Sequence, residues 1–213
     1  MDPPVPAGPR MTESTDQLYE RLLVLRSQAG DEAAFAELVE RYHRRLRYYL
    51  RKMLGGDAHH ADDALQEVWL DVYRGLPRLK DAGAFPAWLY RIARDRAYRL
   101  MRDRGRGRVQ AASSLIDVNT DVTGAAAADE TFSPEDAATI HAALDRLTPE
   151  QREVLILRFV EEMDYMRISS VTGVPVGTVR SRIYYAKLAL RRMIERTDEH
   201  EQRKRTERGA VGL

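Results

Sequence analysis

The chain has 213 residues, 44% of them hydrophobic, with Cys 0 and a formal net charge of +1. That length holds one large domain or two small ones, and the apolar share is enough to bury real cores, which excludes a wholly disordered chain. Lack of cysteine excludes disulfides, thiolate metal sites and cysteine nucleophiles, and no apolar run approaches the roughly 18 residues a membrane helix needs.

Residues 1–12 form a proline-rich extension with no apolar stretch for a secretory signal; it is expected to be disordered, with Met11 an alternative start. Beyond it, apolar residues recur at three and four, the helical period, and strand signals are nearly absent. A first helix is expected over residues 15–28, with Leu18, Leu22 and Leu25 along one side. Gly30 breaks it, and Asp31 can cap a second helix carrying Phe35, Leu38, Val39, Tyr42, Leu46, Leu50 and Met53 as far as Gly55-Gly56. A third covers residues 61–74 and stops at Gly75 and Pro77. A fourth starts near Ala84, passes Trp88, Leu89, Ile92 and Leu100, and breaks at Gly105 and Gly107. These four make one helical domain, residues 13–106. Residues 107–134 lack a regular apolar stripe and read as a flexible acidic linker.

A second helical domain follows over residues 135–196. Thr148-Pro149-Glu150-Gln151 is a helix start, with Thr148 as cap, Pro149 at the first position and Gln151 completing a capping box. The helix is expected to bury Val154, Leu155, Leu157 and Val160. Asp164 can cap the next, residues 165–172, which buries Ile168 and Val171; Gly173 turns the chain, and Pro175 opens a last helix ending near Ile194. Val179, Ile183, Ala186, Leu190 and Met193 form that helix's buried stripe, opposite Arg180, Ser181, Tyr184, Lys187, Leu188 and Arg191. A short helix, a glycine turn and a second helix with arginine near its start is a helix-turn-helix. Its second helix enters the major groove N-terminus first, which places Arg180 and Ser181 near base edges and Lys187, Arg191 and Arg192 near phosphates. The charged residues 197–213 are expected to fray.

The small net charge hides a block arrangement. Residues 41–52 hold six bases and no acid, and residues 57–71 hold five acids and no Lys or Arg. Eight arginines over residues 91–108 face only Asp95 and Asp103; residues 109–140 have six acids and no base, and residues 165–194 six bases and no acid. Alternating blocks of this kind point to separate surfaces for a polyanion and for basic partners.

Four motifs carry a family resemblance. Asp63-Ala64-Leu65-Gln66-Glu67-Val68-Trp69 is similar to a "D-x-x-Q-E-V-[FW]" helix, and Phe85-Pro86-Ala87-Trp88-Leu89-Tyr90-Arg91-Ile92-Ala93-Arg94 to "F-x-x-W-L-x-R-I-A-R". Leu147 to Leu155 match the opening "L-x-x-x-x-R-E-V-L", and Gly173 to Arg182 match "G-V-P-x-G-T-V-[KR]-S-R". In this order and across a linker they resemble the extracytoplasmic-function class of the sigma-70 family, the sigma factors of bacterial RNA polymerase. The resemblance implies an all-α fold of two small helical domains, a region-two bundle and a region-four helix-turn-helix, joined by the linker. It implies an alternative initiation factor that is not an enzyme, needs no cofactor or metal and stays in the cytoplasm without membrane insertion. Its partners would be the β and β′ subunits of core RNA polymerase, promoter DNA and an anti-sigma factor.

The resemblance also implies roles. Asp62, Asp63, Leu65, Gln66, Glu67 and Trp69 would dock on polymerase, although Leu65 and Trp69, like Val72, also fit ordinary core positions. Arg78, Lys80 and Asp81 in the loop, with Trp88, Arg91, Arg94, Tyr98, Arg99 and Arg102, would bind and melt the −10 element, by stacking and by arginine–phosphate contacts. Trp88, between Phe85 and Ile92, leans toward core. Arg167, Thr178, Arg180, Ser181, Arg182, Tyr184, Tyr185 and Lys187 would recognise the −35 element. The linker acids are candidates to mimic nucleic acid on basic polymerase walls, against a passive tether.

Departures matter at three places. Arg167 replaces the family's acid before Ile168, which removes a cap and opens a phosphate contact. Ser169 replaces a small alanine beside the turn. Tyr184-Tyr185 stand where an arginine often precedes Ala186, and tyrosine cannot form guanine's forked pair. Two rival readings are a free-standing helix-turn-helix regulator that does not dock on polymerase, and a metal-dependent hydrolase using His59, His60, Asp62 and Asp63. The second has weak ligand spacing and no evident fourth ligand.

Overall fold

Side-chain oxygens one residue ahead of the apolar stripes start most of the helices. Ser14 accepts from the Gln17 amide while the Gln17 side chain accepts from the Ser14 amide, a reciprocal capping box that opens α1 (Thr15–Gln28). Asp31, Asp57, Thr148 and Asp164 likewise accept from the backbone three residues on, opening α2 (Glu32–Met53), α3 (Ala58–Gly75), α6 (Pro149–Leu155) and α7 (Tyr165–Thr172). The remaining helices are α4 (Phe85–Gly107), α5 (Ala137–Leu144) and α8 (Val176–Ala210). The structure, a computed structural model, describes residues 14–107 and 137–210, with side chains over 14–104 and 141–194. The expected extension, almost all of the expected linker and the last three residues of the tail lie outside the described residues. Described residues 195–210 continue α8, past the end expected near Ile194. Among the described residues there is no strand, and no helix is long and apolar enough to cross a membrane.

The first four helices pack as a bundle. Leu38, Leu46 and Leu50 of α2, Val68 and Val72 of α3, and Phe85, Leu89 and Ala93 of α4 are fully buried. Burying each large side chain contributes about 1.5–3 kcal/mol. The first helix departs from expectation. It buries Leu23 and Val24, while Leu18, Leu22 and Leu25 stand 53%, 48% and 55% exposed. The bundle needs the neighbouring face, because α1 lies between α2 and the two 3₁₀ turns, Leu76–Arg78 and Ala82–Ala84, that join α3 to α4.

In the second half, Leu144, Leu147, Leu155, Ala186 and Leu190 form a small core. Val160 is exposed, contrary to expectation. Helix α6 widens into a π turn, Ile156–Val160, and the extra residue per turn rotates Val160 off the buried stripe. The two halves also touch. Helix α7 packs along α4 and α6 against α2, so Ile156, Leu157, Ile168 and Val179 share one apolar cluster with Leu46, Leu50 and Leu89.

Candidate nucleic-acid interface

The helix-turn-helix is built from short-range chemistry. Gly173 sits at φ 72°, ψ 15°, a left-handed conformation that side chains disfavour, and its amide donates to the Ser169 carbonyl at 2.9 Å. The Ser169 hydroxyl donates to the Val174 carbonyl at 2.6 Å, so the residue that replaced an alanine closes the turn. Arg167 does not cost α7 its cap: Asp164 accepts from the Arg167 amide at 2.8 Å, and the guanidinium stays within 3.8 Å of that carboxylate. The expected loss of a cap is corrected, because capping is done three residues earlier.

Along α8, Val179, Ile183, Ala186 and Leu190 are buried and Met193 half-buried, which leaves the opposite side outward. Arg180 is exposed and rests over the Tyr165 ring at 5.7 Å. Tyr184 is exposed and stacks edge-on to half-buried Tyr185 at 5.3 Å. Ser181 donates to the Thr178 carbonyl at 3.0 Å, and Lys187 lies over the Phe159 ring at 5.8 Å. Thr178 and Arg182 are half-buried at the same end of α8.

The other half divides its basic residues between solvent and structure. Arg78 and Lys80 are exposed in the loop that Gln28 pins, its amide donating to the Leu76 and Leu79 carbonyls at 2.9 and 2.7 Å. Asp81 accepts from the Gly83 amide at 2.8 Å, so one carboxylate oxygen already caps a 3₁₀ turn. On α4, Arg91, Arg99 and Arg102 are exposed. Trp88 is half-buried, with its ring pressed on Gly75, where an added Cβ would come within 2.9 Å. Arg94 and Tyr98 face the second half. Arg94 Nε lies 3.0 Å from Glu153 Oε1 and the guanidinium 4.4 Å from the Tyr98 ring, while the Tyr98 hydroxyl donates to Glu153 Oε2 at 3.0 Å.

Helix α3 presents acids and two apolar residues outward. Leu65 is 3% exposed and belongs to the core, which takes it away from any docking surface. Leu70 and Tyr73, which the sequence reading missed, stand exposed instead. Trp69 is half-buried, edge-on to Phe35 at 6.2 Å, and Phe35 meets Tyr73 at 5.2 Å. Asp62 pairs with Arg47 at 2.5 and 2.9 Å. Glu67 pairs with Arg96, which also lies 3.6 Å from Asp71; Asp63 pairs with His59 at 3.0 Å, and Gln66 is exposed. His60 pairs separately with Asp57, and no three metal-type donors converge among the described residues.

The sequence reading also passed over three buried charges. Arg152 donates to the carbonyls of Leu144, Asp145 and Leu147, at 2.8 to 3.0 Å, and to that of Lys52 at 2.5 Å. Burial lowers its guanidinium pKa, and the four carbonyls compensate its desolvation. Glu153 and Glu161 are also buried, and desolvation raises both carboxyls above the ordinary range despite nearby arginines. The signal was present: two charges, Arg152 and Glu153, open a run that is otherwise apolar through Leu157.

A helical bundle joined to a helix-turn-helix, each with outward basic side chains, defines a two-part DNA-binding protein. The sigma-70 region 2 family matches residues 38–107 and the sigma-70 region 4 family residues 137–190. The RNA polymerase sigma-H factor of Pseudomonas aeruginosa is 34% identical over 186 residues, 84% of this chain and 95% of that one. The ECF RNA polymerase sigma-E factor of Escherichia coli is 32% identical over 184 residues, 83% and 94% of the two chains. Among solved structures, CnrH in complex with the cytosolic domain of CnrY shares the fold, with a TM-score of 0.61 at 24% identity, covering 83% of this chain and 97% of that one. So does the sigma factor RpoE in complex with the anti-sigma factor NepR from Bartonella quintana, at 0.58 and 23%, covering 76% and 96%. The chain belongs to the extracytoplasmic-function family of RNA polymerase sigma factors, which sets aside the free-standing regulator.

Proposed function

We propose a division of labour for this alternative sigma factor, which directs RNA polymerase to promoters. The exposed face of α3 docks on core polymerase, with Asp63, Gln66 and Glu67 around Leu70 and Tyr73 as apolar anchors; acids ringing apolar residues suit a partly basic surface. The loop residues Arg78, Lys80 and Asp81 and the α4 residues Arg91, Arg94, Tyr98, Arg99 and Arg102 hold the separated −10 strand through phosphate pairing and stacking. The start of α8, from Thr178 to Lys187, reads the −35 duplex, with Arg180 at base edges and Arg167 at a phosphate. The factor itself performs no chemistry, acts in the cytoplasm and is held in check by an anti-sigma factor. Family regions two and four in order on one chain are the observation that carries this reading. Run-off transcription with purified core polymerase tests it: the full chain is expected to confer promoter-specific starts, and failure to bind core at low salt overturns it.

A further inference from the structure

The last residue of α1 reaches into the loop assigned to the −10 strand. The Gln28 side-chain nitrogen donates to the Leu76 carbonyl at 2.9 Å and to the Leu79 carbonyl at 2.7 Å, partners 48 and 51 residues away in the chain. A primary amide has two N–H donors, so this one side chain serves both carbonyls. The two carbonyls bracket the 3₁₀ turn Leu76–Arg78, which the Leu79 amide closes by donating to the Leu76 carbonyl at 3.0 Å. Beyond it, Leu79 (φ −70°, ψ 112°) and Asp81 (φ −117°, ψ 108°) are extended, and Arg78, Lys80 and Asp81 are exposed. Two turns back on the same face of α1, Arg21 lies beside the second 3₁₀ turn, where a Cβ added to Gly83 would stand 3.7 Å from its Nε.

The platform that carries Gln28 is itself fixed. Leu23 and Val24 are fully buried, the Ser27 hydroxyl donates to the Leu23 carbonyl at 2.7 Å, and Arg26 Nε donates to the Asp31 carboxylate at 2.9 Å. Side chains that must meet a strand together need such a rigid support, because an exposed loop left to itself samples many backbone shapes.

We propose that Gln28 is a positioning residue for promoter opening: its amide braces the turn so that Arg78, Lys80 and Asp81 stand preset for the unpaired −10 strand. The role in opening rests on the strand assignment made above; the brace on the loop backbone does not. A preset loop binds more tightly, because less ordering is left to the moment of capture.

Two measurements test it. On the free full chain, Gln28→Met, unbranched and of similar length, removes both donors and is expected to speed amide hydrogen exchange over residues 76–84. With core polymerase, on a fork DNA whose −35 element is duplex and whose −10 strand is unpaired, built from a start site mapped by run-off transcription, the same variant is expected to bind roughly tenfold more weakly. Affinity for a duplex fragment carrying the −35 element alone is expected to stay unchanged. Arg78→Ala with Lys80→Ala is expected to weaken fork binding too, and adding Gln28→Met to that pair to cost little more, since one loop carries both effects. Should Gln28→Met lose helicity, Gln28→Glu, of the same size, sets a carboxylate oxygen against the two carbonyls and decides the matter. Unchanged exchange in a variant of full helicity overturns the brace. Faster exchange with unchanged fork binding, or full additivity with the loop pair, overturns the positioning role. Unchanged fork binding in Arg78→Ala with Lys80→Ala instead overturns the strand assignment and with it the role in opening, and leaves the brace to stand on exchange.

Discussion

Arg180 is the side chain on which base discrimination turns in the proposed reading. It is exposed at the start of α8 and rests against the face of Tyr165, and among the described residues no acid pairs with it in competition with a guanine edge for its fork. Arg180→Ala is expected to lose about 1–3 kcal/mol of −35 binding at the cognate base pair and to relax preference there. Affinity measured on a matched and a mismatched duplex checks both. Tyr184 and Tyr185 brace each other edge to face, and rings held this way offer a thymine methyl a firm apolar contact. Residue by residue, the sequence disclosed the helix-turn-helix well, because caps, glycine turn and stripe are local. It left Leu65 open between anchor and core, since a single helix does not say which of two apolar sides its neighbours will cover.

The contact between α3 and α4 shows how an element's end is fixed by packing. Gly75 closes α3 beneath the Trp88 ring, with no room for a methyl group. Gly75→Ala is expected to push the indole outward and to cost about 1–3 kcal/mol by overpacking. A lower melting temperature and a red-shifted tryptophan emission check it; an unchanged spectrum overturns it. At the other end of α3, Asp57 caps the helix and holds Arg104 of α4 at 2.8 Å, and these contacts keep its carboxyl far below the ordinary value of 3.8. A depressed acid stabilises the fold above its unfolded pKa and loses that contribution as pH falls. Asp57→Ala is therefore expected to flatten the decline of helix stability between about pH 4 and lower values, read by circular dichroism. Such ends were legible in part: Gly75 was seen as a stop, but its ring partner lies thirteen residues on, beyond any local pattern. The misjudged face of α1 has the same cause, because all of Leu18, Leu22, Leu23, Val24 and Leu25 are apolar and only the neighbours choose among them.

At the scale of the molecule, the closed arrangement of the two halves buries the carboxylates of Glu153 and Glu161 in the seam between them. Glu153 faces Tyr49 of α2 and Arg94 and Tyr98 of α4; Glu161 faces Arg45 of α2, Tyr90 of α4 and its neighbour Glu162. Burial outweighs these partners and raises both carboxyls, so the closed form holds protons better than a form in which they meet water. Proton linkage then favours closure as pH falls through the interval above the ordinary glutamate value and separation as it rises through the same interval. With distance labels on cysteines placed at the exposed positions Ala36 of α2 and Ser170 of α7, the separation is expected to lengthen with pH across that interval, and Glu153→Ala with Glu161→Ala to remove the dependence. None of this was legible in sequence. Charge blocks announced two surfaces, but which acid meets which arginine across more than fifty residues is decided by how the halves dock.

Both tryptophans, Trp69 against Phe35 and Trp88 against Gly75, lie in the first half, and the second half has none. Ultraviolet emission is consequently a one-sided witness to melting, silent on the helix-turn-helix except through the seam. If the halves come apart before either unfolds, heating will erode far-ultraviolet ellipticity in two stages while the indole signal records one. A single coincident transition in both would mean that the seam survives until the whole chain gives way.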